Sequence, residues 1–201
     1  MIIKQKQSSK RVVLASGSPR RRELLAQAGL KVDVRESGVS ELLWEGEDAL
    51  EFASRLASEK AIAVSNRDRE PLVIGADTVV NCDGIMGKPR DPEEARAMLK
   101  RLSGRSHTVI TAFALARAGW IIESETVLSR VTFRELSDAE IADYVATGAP
   151  MDKAGGYGIQ DAGAGFISTV EGQRDNVMGL PVEQVIAAIV RCGAGLAQKR
   201  S

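Results

Sequence analysis

Residues 14–25 read LASGSPRRRELL, and this stretch narrows the possible architectures more than any other. A short apolar strand (Val12, Val13, Leu14) runs into small polar residues, then Pro19, then three arginines, Arg20, Arg21 and Arg22. Ser18 suits an N-cap, and Pro19 suits the first helical position, where a missing N–H costs nothing. The helix presents Leu24, Leu25 and Ala28 and stops at Gly29, a common C′ residue. Backbone N–H groups, the hydroxyls of Ser16 and Ser18, and guanidinium groups therefore converge where a strand meets a helix N-terminus. Cations in a first helical turn oppose the helix dipole. An anion among them, most simply a phosphate, resolves that conflict. The other reading is an exposed basic helix start with its arginines in water.

Composition excludes several classes of function. Aromatics make up 4% of the 201 residues, which argues against a base-stacking surface and an RNA-binding module. Lys+Arg and Asp+Glu balance at 27 each, so no electrostatic footprint points to nucleic acid or a membrane surface. Apolar residues reach 44%, enough for a proper core. The opening MIIKQKQSSK lacks the apolar stretch of a signal peptide, and no run reaches membrane-spanning length. Cys82 and Cys192 are far apart and fit a reducing cytoplasm. A single histidine, His107, rules out a His-pair metal site. Carboxylates, lysines, arginines and a metal are left to carry the chemistry.

Strand and helix patterns alternate, the mark of an α/β fold. Residues 31–36 read as a second strand, 48–65 as a helix, and 72–74 as a buried strand that ends at Gly75-Ala76-Asp77-Thr78. Asp91, Pro92 and Glu94 form a capping box for a helix ending at Gly104. Residues 108–116 and 121–133 read as long strands joined near Ala118-Gly119, and Ser137 with Glu140 caps a helix ending at Gly148. Residues 154–165 hold five glycines, which implies either a flexible tether or a loop whose backbone approaches something closely. A strand at 166–170 and a helix from Pro181 to Gly193 follow. The expected organisation is one domain over 12–193, with tails at 1–11 and 194–201.

Few residues stand out as chemical candidates. Asp77 follows an apolar run, which places it at a sheet edge where a carboxylate can hold a metal or take a proton from water; a turn or cap with Thr78 is the alternative. Lys60 falls in phase with Ala49, Ala53, Leu56 and Ala63, an apolar helical stripe. Its ammonium either snorkels out of the stripe or aims into a cleft at phosphate oxygens. Lys88, in MGKPRD, and Glu41 carry no signal alone. Lys153 and Gln160 lie in DKAGGYGIQDAGAGF, where glutamine can both donate to and accept from a pyrimidine edge. No Walker motif is present.

Seven segments in order, LASGSPRR, LASEKA, GADTVV, GKPRD, LSGRSHTVITA, DKAGGYGIQ and NVMGLPV, resemble the Maf family of nucleoside triphosphate pyrophosphatases. The resemblance implies an elongated mixed α/β sheet flanked by helices, with two lobes around a central cleft, as in inosine triphosphate pyrophosphatases, and commonly a homodimer. It implies metal-dependent hydrolysis, with Mg²⁺ or Mn²⁺, of a triphosphate to the monophosphate and pyrophosphate. Motif by motif, the family's site residues fall on Ser16, Arg20, Arg21, Glu41, Lys60, Asp77, Lys88 and Gln160. Asp77 matches the proton acceptor, and Arg20, Thr78 and Gln160 match positions tied to base choice; Asp77 with Glu41 is the expected metal site. KAGGYGIQ resembles the dTTP/UTP subgroup rather than the 7-methyl-GTP one. Asp161 departs from the usual glycine, and EGQRDNVMG from a GSYxNVVG-like form. Arg20, Arg21, Lys60 and Lys88 are expected to make a locally basic cleft against the substrate's roughly four negative charges. A non-enzymatic, nucleotide-sensing regulator of cell division is the competing expectation.

Overall fold

The computed structural model describes residues 11–69 and 71–193. Apart from Arg11, the expected tails lie outside the described residues. Strands β1 (Val12–Leu14), β2 (Asp33–Val34), β3 (Leu72–Asn81), β4 (Ile85–Met86), β5 (Ser106–Arg117), β6 (Trp120–Phe133) and β7 (Ile167–Glu171) form one mixed sheet. The order is β2-β1-β3-β5-β6-β7, with β4 paired to β3. β1 runs parallel to β2 and β3, and the remaining pairs are antiparallel. Helices α1 (Pro19–Gln27), α2 (Ala49–Ser65), α3 (Pro92–Leu102), α4 (Asp138–Ala146), α5 (Arg174–Met178) and α6 (Val182–Arg191) flank it. This is the expected mixed α/β sheet flanked by helices.

A mismatch in strand length creates the cleft. β1 stops at Leu14, and Ala15 makes the last backbone bond to Ile74, at 2.7 Å. β3 continues to Asn81, paired on its other side with β5. The flank of β3 beyond Ile74 is therefore open. The apolar run at 72–74 reads as a short strand because Gly75, Asp77 and Thr78 look like turn residues. Antiparallel pairing to β5 overrides that local preference, so Asp77 lies mid-strand opposite Ala112 rather than at a strand end.

α2 starts from a complete capping box, with Asp48 accepting from Leu50 and Glu51 N–H groups and Glu51 reaching back to the Asp48 N–H. Ala53, Ala57 and Ala61 lie one turn apart and are fully buried. Against this flat ridge lies Gly75 of β3; a Cβ there would stand 2.2 Å from the Ala57 carbonyl oxygen. Helix and strand backbones touch because both sides are small. The expected phase is nearly correct: Lys60 is buried with Leu56, whereas Ala63 is partly exposed.

Other differences are local. The second strand is two residues long. Ala28 is exposed, although Leu24 and Leu25 pack inward. Asp91 caps α3, but the Glu94 carboxylate accepts from the Arg90 N–H at 2.7 Å instead of closing a box on Asp91. Both turn residues between β5 and β6, Ala118 and Gly119, have positive φ, as a two-residue type I′ hairpin requires. α5 had no counterpart in the sequence reading; its five residues are too few for a periodic signal.

Three apolar clusters fill the interior. One lies under α1 and α6, and a second under α2 on the opposite sheet face. The third packs α3 and α4 on the far half of the sheet. There Phe133 touches His107, Tyr157 and Phe166 edge-on. His107 Nε2 is 2.7 Å from Tyr157 Oη, and burial pushes the ring's pKa down to about 4.

Gly75→Ala is expected to destabilise the fold by about 2 kcal/mol or more in urea denaturation, since backbone must move. Gly165→Ala, with open space around its Cβ position, should stay within about 0.5 kcal/mol of the parent. His107 binds its proton more weakly folded than unfolded. Its stabilising contribution is complete above about pH 6.5 and is lost as pH falls to about 4, a loss of roughly 3 kcal/mol. Urea midpoints from pH 7 to 4 should show this slope, and His107→Phe should flatten it.

Candidate active site

The open flank of β3 is the floor of a cavity of about 810 Å³. Its walls are the β1–α1 loop, the loop at 36–41, α2 at Lys60, the turn at 87–88, residues 152–161 and residues 177–179. All ten sequence candidates line it: Ser16, Arg20, Arg21, Glu41, Lys60, Asp77, Thr78, Lys88, Lys153 and Gln160.

At the floor, Lys60 Nζ donates to Asp77 Oδ1 and to Glu41 Oε1, each at 2.6 Å. Lys60 and Asp77 are each only 6% exposed. The lysine therefore does not snorkel to water. Burial raises the Asp77 carboxyl above its ordinary range, against the pull of Lys60 and Arg21. Half-buried Glu41 is pushed up by burial too, but Lys60, then Lys88 and Arg21, outweigh this and hold it below its ordinary value. Lys88 is exposed, with Nζ 3.7 Å from Glu41 Oε2.

Two arginines hold the loop that carries Glu41. Arg67 donates to the Glu36 and Ser37 carbonyls at 3.0 and 2.6 Å. Arg55 donates to the Leu42 carbonyl at 2.9 Å, forms a two-point pair with Glu47, and lies 3.9 Å from the Trp44 ring centre. Both ends are thus fixed to α2 and the turn after it.

Arg21 lines the cavity and is braced by the surrounding chain. Its Nε donates to the Gly179 carbonyl at 2.7 Å, Nη1 to Ala76 O and Ser16 Oγ, and Nη2 to Thr78 Oγ1. Four of its five N–H groups are used, leaving one. Burial lowers its pKa, opposed by Asp77 and Glu41. Thr78 also meets Thr111 Oγ1 at 2.9 Å, so the brace joins α1, β3, β5 and the residues after α5. Ser16 Oγ accepts from Arg21 and the Ser18 N–H, which leaves its own hydroxyl proton to donate. Ser18 begins the helix without a side-chain cap.

Arg20 reaches across the cavity and donates to the Asp152 carboxylate at 2.7 Å and its carbonyl at 3.1 Å. Lys153 is held by the Ala149 carbonyl, Asp152 and Asp161. The glycine-rich segment is packed, not a tether. Gly155 has φ 68° and no room for a Cβ, which would meet Val80 Cγ2 at 2.9 Å. Gln160 is exposed at the mouth without a hydrogen-bond partner among the described residues. Arg22, third of the arginine run, is exposed and does not line the cavity.

A family model described as Maf-like protein matches residues 11–192. The chain belongs to the Maf family. A curated dTTP/UTP pyrophosphatase of Geobacter metallireducens is 48% identical over 188 residues, 92% of this chain and 97% of that protein. One of Myxococcus xanthus is 47% identical over 191 residues, 94% of this chain and 96% of that protein. Among solved structures, a HAM1 protein from Coxiella burnetii aligns with a TM-score of 0.49 at 15% identity, over 90% of this chain and 99% of that one.

In this Maf-family chain one expectation is corrected. The cleft is not locally basic. Its five cations, Arg20, Arg21, Lys60, Lys88 and Lys153, are matched by Glu36, Glu41, Asp77, Asp152 and Asp161. Sequence reading missed Glu36, Asp152 and Asp161 as wall residues. Asp152 and Asp161 bracket the glycine-rich motif, which was the only available signal.

Arg21→Lys keeps the charge but loses the planar fork. It is expected to cost on the order of 3 kcal/mol in chemical denaturation, because buried acceptors lose their donors.

Proposed function

We propose that this Maf-family chain is a nucleoside triphosphate pyrophosphatase that cleaves dTTP and UTP between the α and β phosphates. The observation that carries the reading is the buried Asp77–Lys60 pair, joined by partly exposed Glu41, at the floor of the cavity. The names of the relatives, dTTP/UTP pyrophosphatase, agree with it.

Asp77 accepts the proton of an attacking water at a carboxylate oxygen not held by Lys60. Burial makes it a stronger base than a solvated aspartate. The water oxygen bonds to the α-phosphorus, the bridging P–O bond breaks, and pyrophosphate leaves with the bonding electron pair. Lys60 fixes the carboxylate through its 2.6 Å bond and lowers the cost of its charge. The Ser16 hydroxyl and the cations Arg20, Lys88 and Lys153 meet phosphate oxygens, with most of the rate gain positional and electrostatic.

The donor set suits a divalent cation. Among the described residues no group of three or more His, Cys, Asp or Glu gathers. Mg²⁺ is commonly held by one or two carboxylates, with substrate phosphates and water completing its shell. Asp77 and Glu41 would hold it through the carboxylate oxygens that Lys60 does not take. Mg²⁺ or Mn²⁺ there supplies charge neutralisation that a cleft with balanced side chains lacks.

Gln160 at the mouth, able to donate and accept, serves base choice. Residues 12–193 act as one two-lobed domain, supported by the separate apolar cluster on the far half of the sheet. A homodimer belongs to the same proposal. The β6 edge ahead of its β7 pairing carries exposed Trp120, Ile122 and Leu128, which supports it. Among the described residues no helix is long and apolar enough to cross a membrane, which fits a cytoplasmic enzyme. A pure nucleotide sensor has no use for a buried base beside the cations, so the enzymatic reading is favoured.

Pyrophosphate release from a nucleotide panel, with and without Mg²⁺, tests the proposal. Turnover of dTTP and UTP is expected only with the metal. Asp77→Asn should lose at least about 100-fold in turnover while folding and binding nucleotide normally. Near-parental turnover in that variant would remove Asp77 from its role.

A further inference from the structure

The segment that presents Gln160 is braced from behind by Tyr144 and Asp161, to which the reaction chemistry above gives no part. Tyr144 of α4 is buried, and its hydroxyl donates to Asp161 Oδ1 at 2.9 Å. The same hydroxyl accepts from the Gly158 N–H at 3.2 Å. One phenol therefore ties together the two residues that flank Ile159 and Gln160. Asp161 Oδ1 also accepts from the Gly163 N–H at 2.8 Å, and Oδ2 lies 3.2 Å from Lys153 Nζ. Space is fully used: a Cβ on Gly158 would stand 2.4 Å from Asp161 Oδ2 and 2.7 Å from Lys153 Cε. Burial, then the Asp161 carboxylate, pushes the Tyr144 phenol's pKa up, so it stays a proton donor.

These bonds have a direction. Asp161 turns its carboxylate inward to Tyr144, Gly163 and Lys153, while Gln160, one residue before it, is exposed at the cavity and has no internal partner. Ile159 and Gln160 form a turn, and the Tyr144 hydroxyl holds both of its ends, Gly158 and Asp161. Fixing the ends of so short a turn restricts where Gln160 can point. An amide that selects a base must be preorganised, because a loose side chain spends binding energy on its own ordering.

We propose that Asp161 is a specificity-determining positioning residue: with Tyr144 it locks residues 158–163 so that Gln160 faces the pyrimidine edge. This rests on the dTTP/UTP pyrophosphatase reading given above. Asp161 touches neither phosphate nor the reacting water. It acts through the loop, so its loss weakens recognition and leaves the chemical step intact.

The test compares the parent with Asp161→Ala, Asp161→Asn and Tyr144→Phe on UTP, dTTP and CTP, with folding checked by circular dichroism. Asp161→Ala should raise KM for UTP at least tenfold, change kcat less than threefold, and reduce the preference for UTP over CTP. Asn keeps acceptors for Tyr144 and Gly163 and should restore most of the loss. Tyr144→Phe should reproduce the alanine phenotype, and combining the two should add little. Unchanged KM and base preference in a folded Asp161→Ala would overturn the proposal alone, and so would an equal loss on all three nucleotides without rescue by Asn. A parent that cleaves none of the panel overturns the function reading, and this proposal with it.

Discussion

A buried ammonium governs the architecture of the cleft. Lys60 sits on the packing face of α2, where an unpaired charge costs several kcal/mol. Its burial is tolerable only because Asp77 and Glu41 both reach it at 2.6 Å. Each partner depends on a separate structural device. Asp77 is within reach because Gly75 and the alanine ridge let α2 lie directly on β3. Glu41 is within reach because Arg55 and Arg67 hold its loop by main-chain carbonyls. The early end of β1 keeps this group open to the cavity rather than sealed in the sheet. Fold and site are thus one problem: the packing that solves the charge of Lys60 also exposes a carboxylate of raised basicity to a bound ligand.

Much of this was legible in the residues, for identifiable reasons. The interruption of an apolar helical stripe by Lys60 marked it as either a snorkelling or an inward-facing cation, because amphipathic phase is set by the local chain; the structure decides for the second. The capping box of α4 and the turn at Ala118-Gly119 are equally local signals. What failed to show was non-local. Pairing to β5 extends β3 through Gly75 and Thr78, a choice made by a partner over thirty residues away. The bracing of Arg21 was also hidden, because its four acceptors come from Ser16, Ala76, Thr78 and Gly179, and only the folded chain assembles them. Asp152 and Asp161 are ordinary acids until the loop folds back against Arg20 and Lys153. The charge balance of the cleft was hidden for the same reason.

That balance shapes how a polyanion enters. Equal numbers of cations and carboxylates give no long-range attraction for a triphosphate. Binding must therefore proceed by exchange, each phosphate oxygen taking the place of a carboxylate. The exchange is easiest where the displaced acid returns to water. The Asp152 and Glu41 side chains are 60% and 44% exposed, so Arg20 and Lys88 can change partners at small solvation cost. Asp77 is buried against Lys60, and separating that pair would strand a charge. On the proposed reaction the outer pairs open to phosphate and the inner pair stays closed. The base then remains fixed while the substrate settles, which is the order that positional catalysis requires.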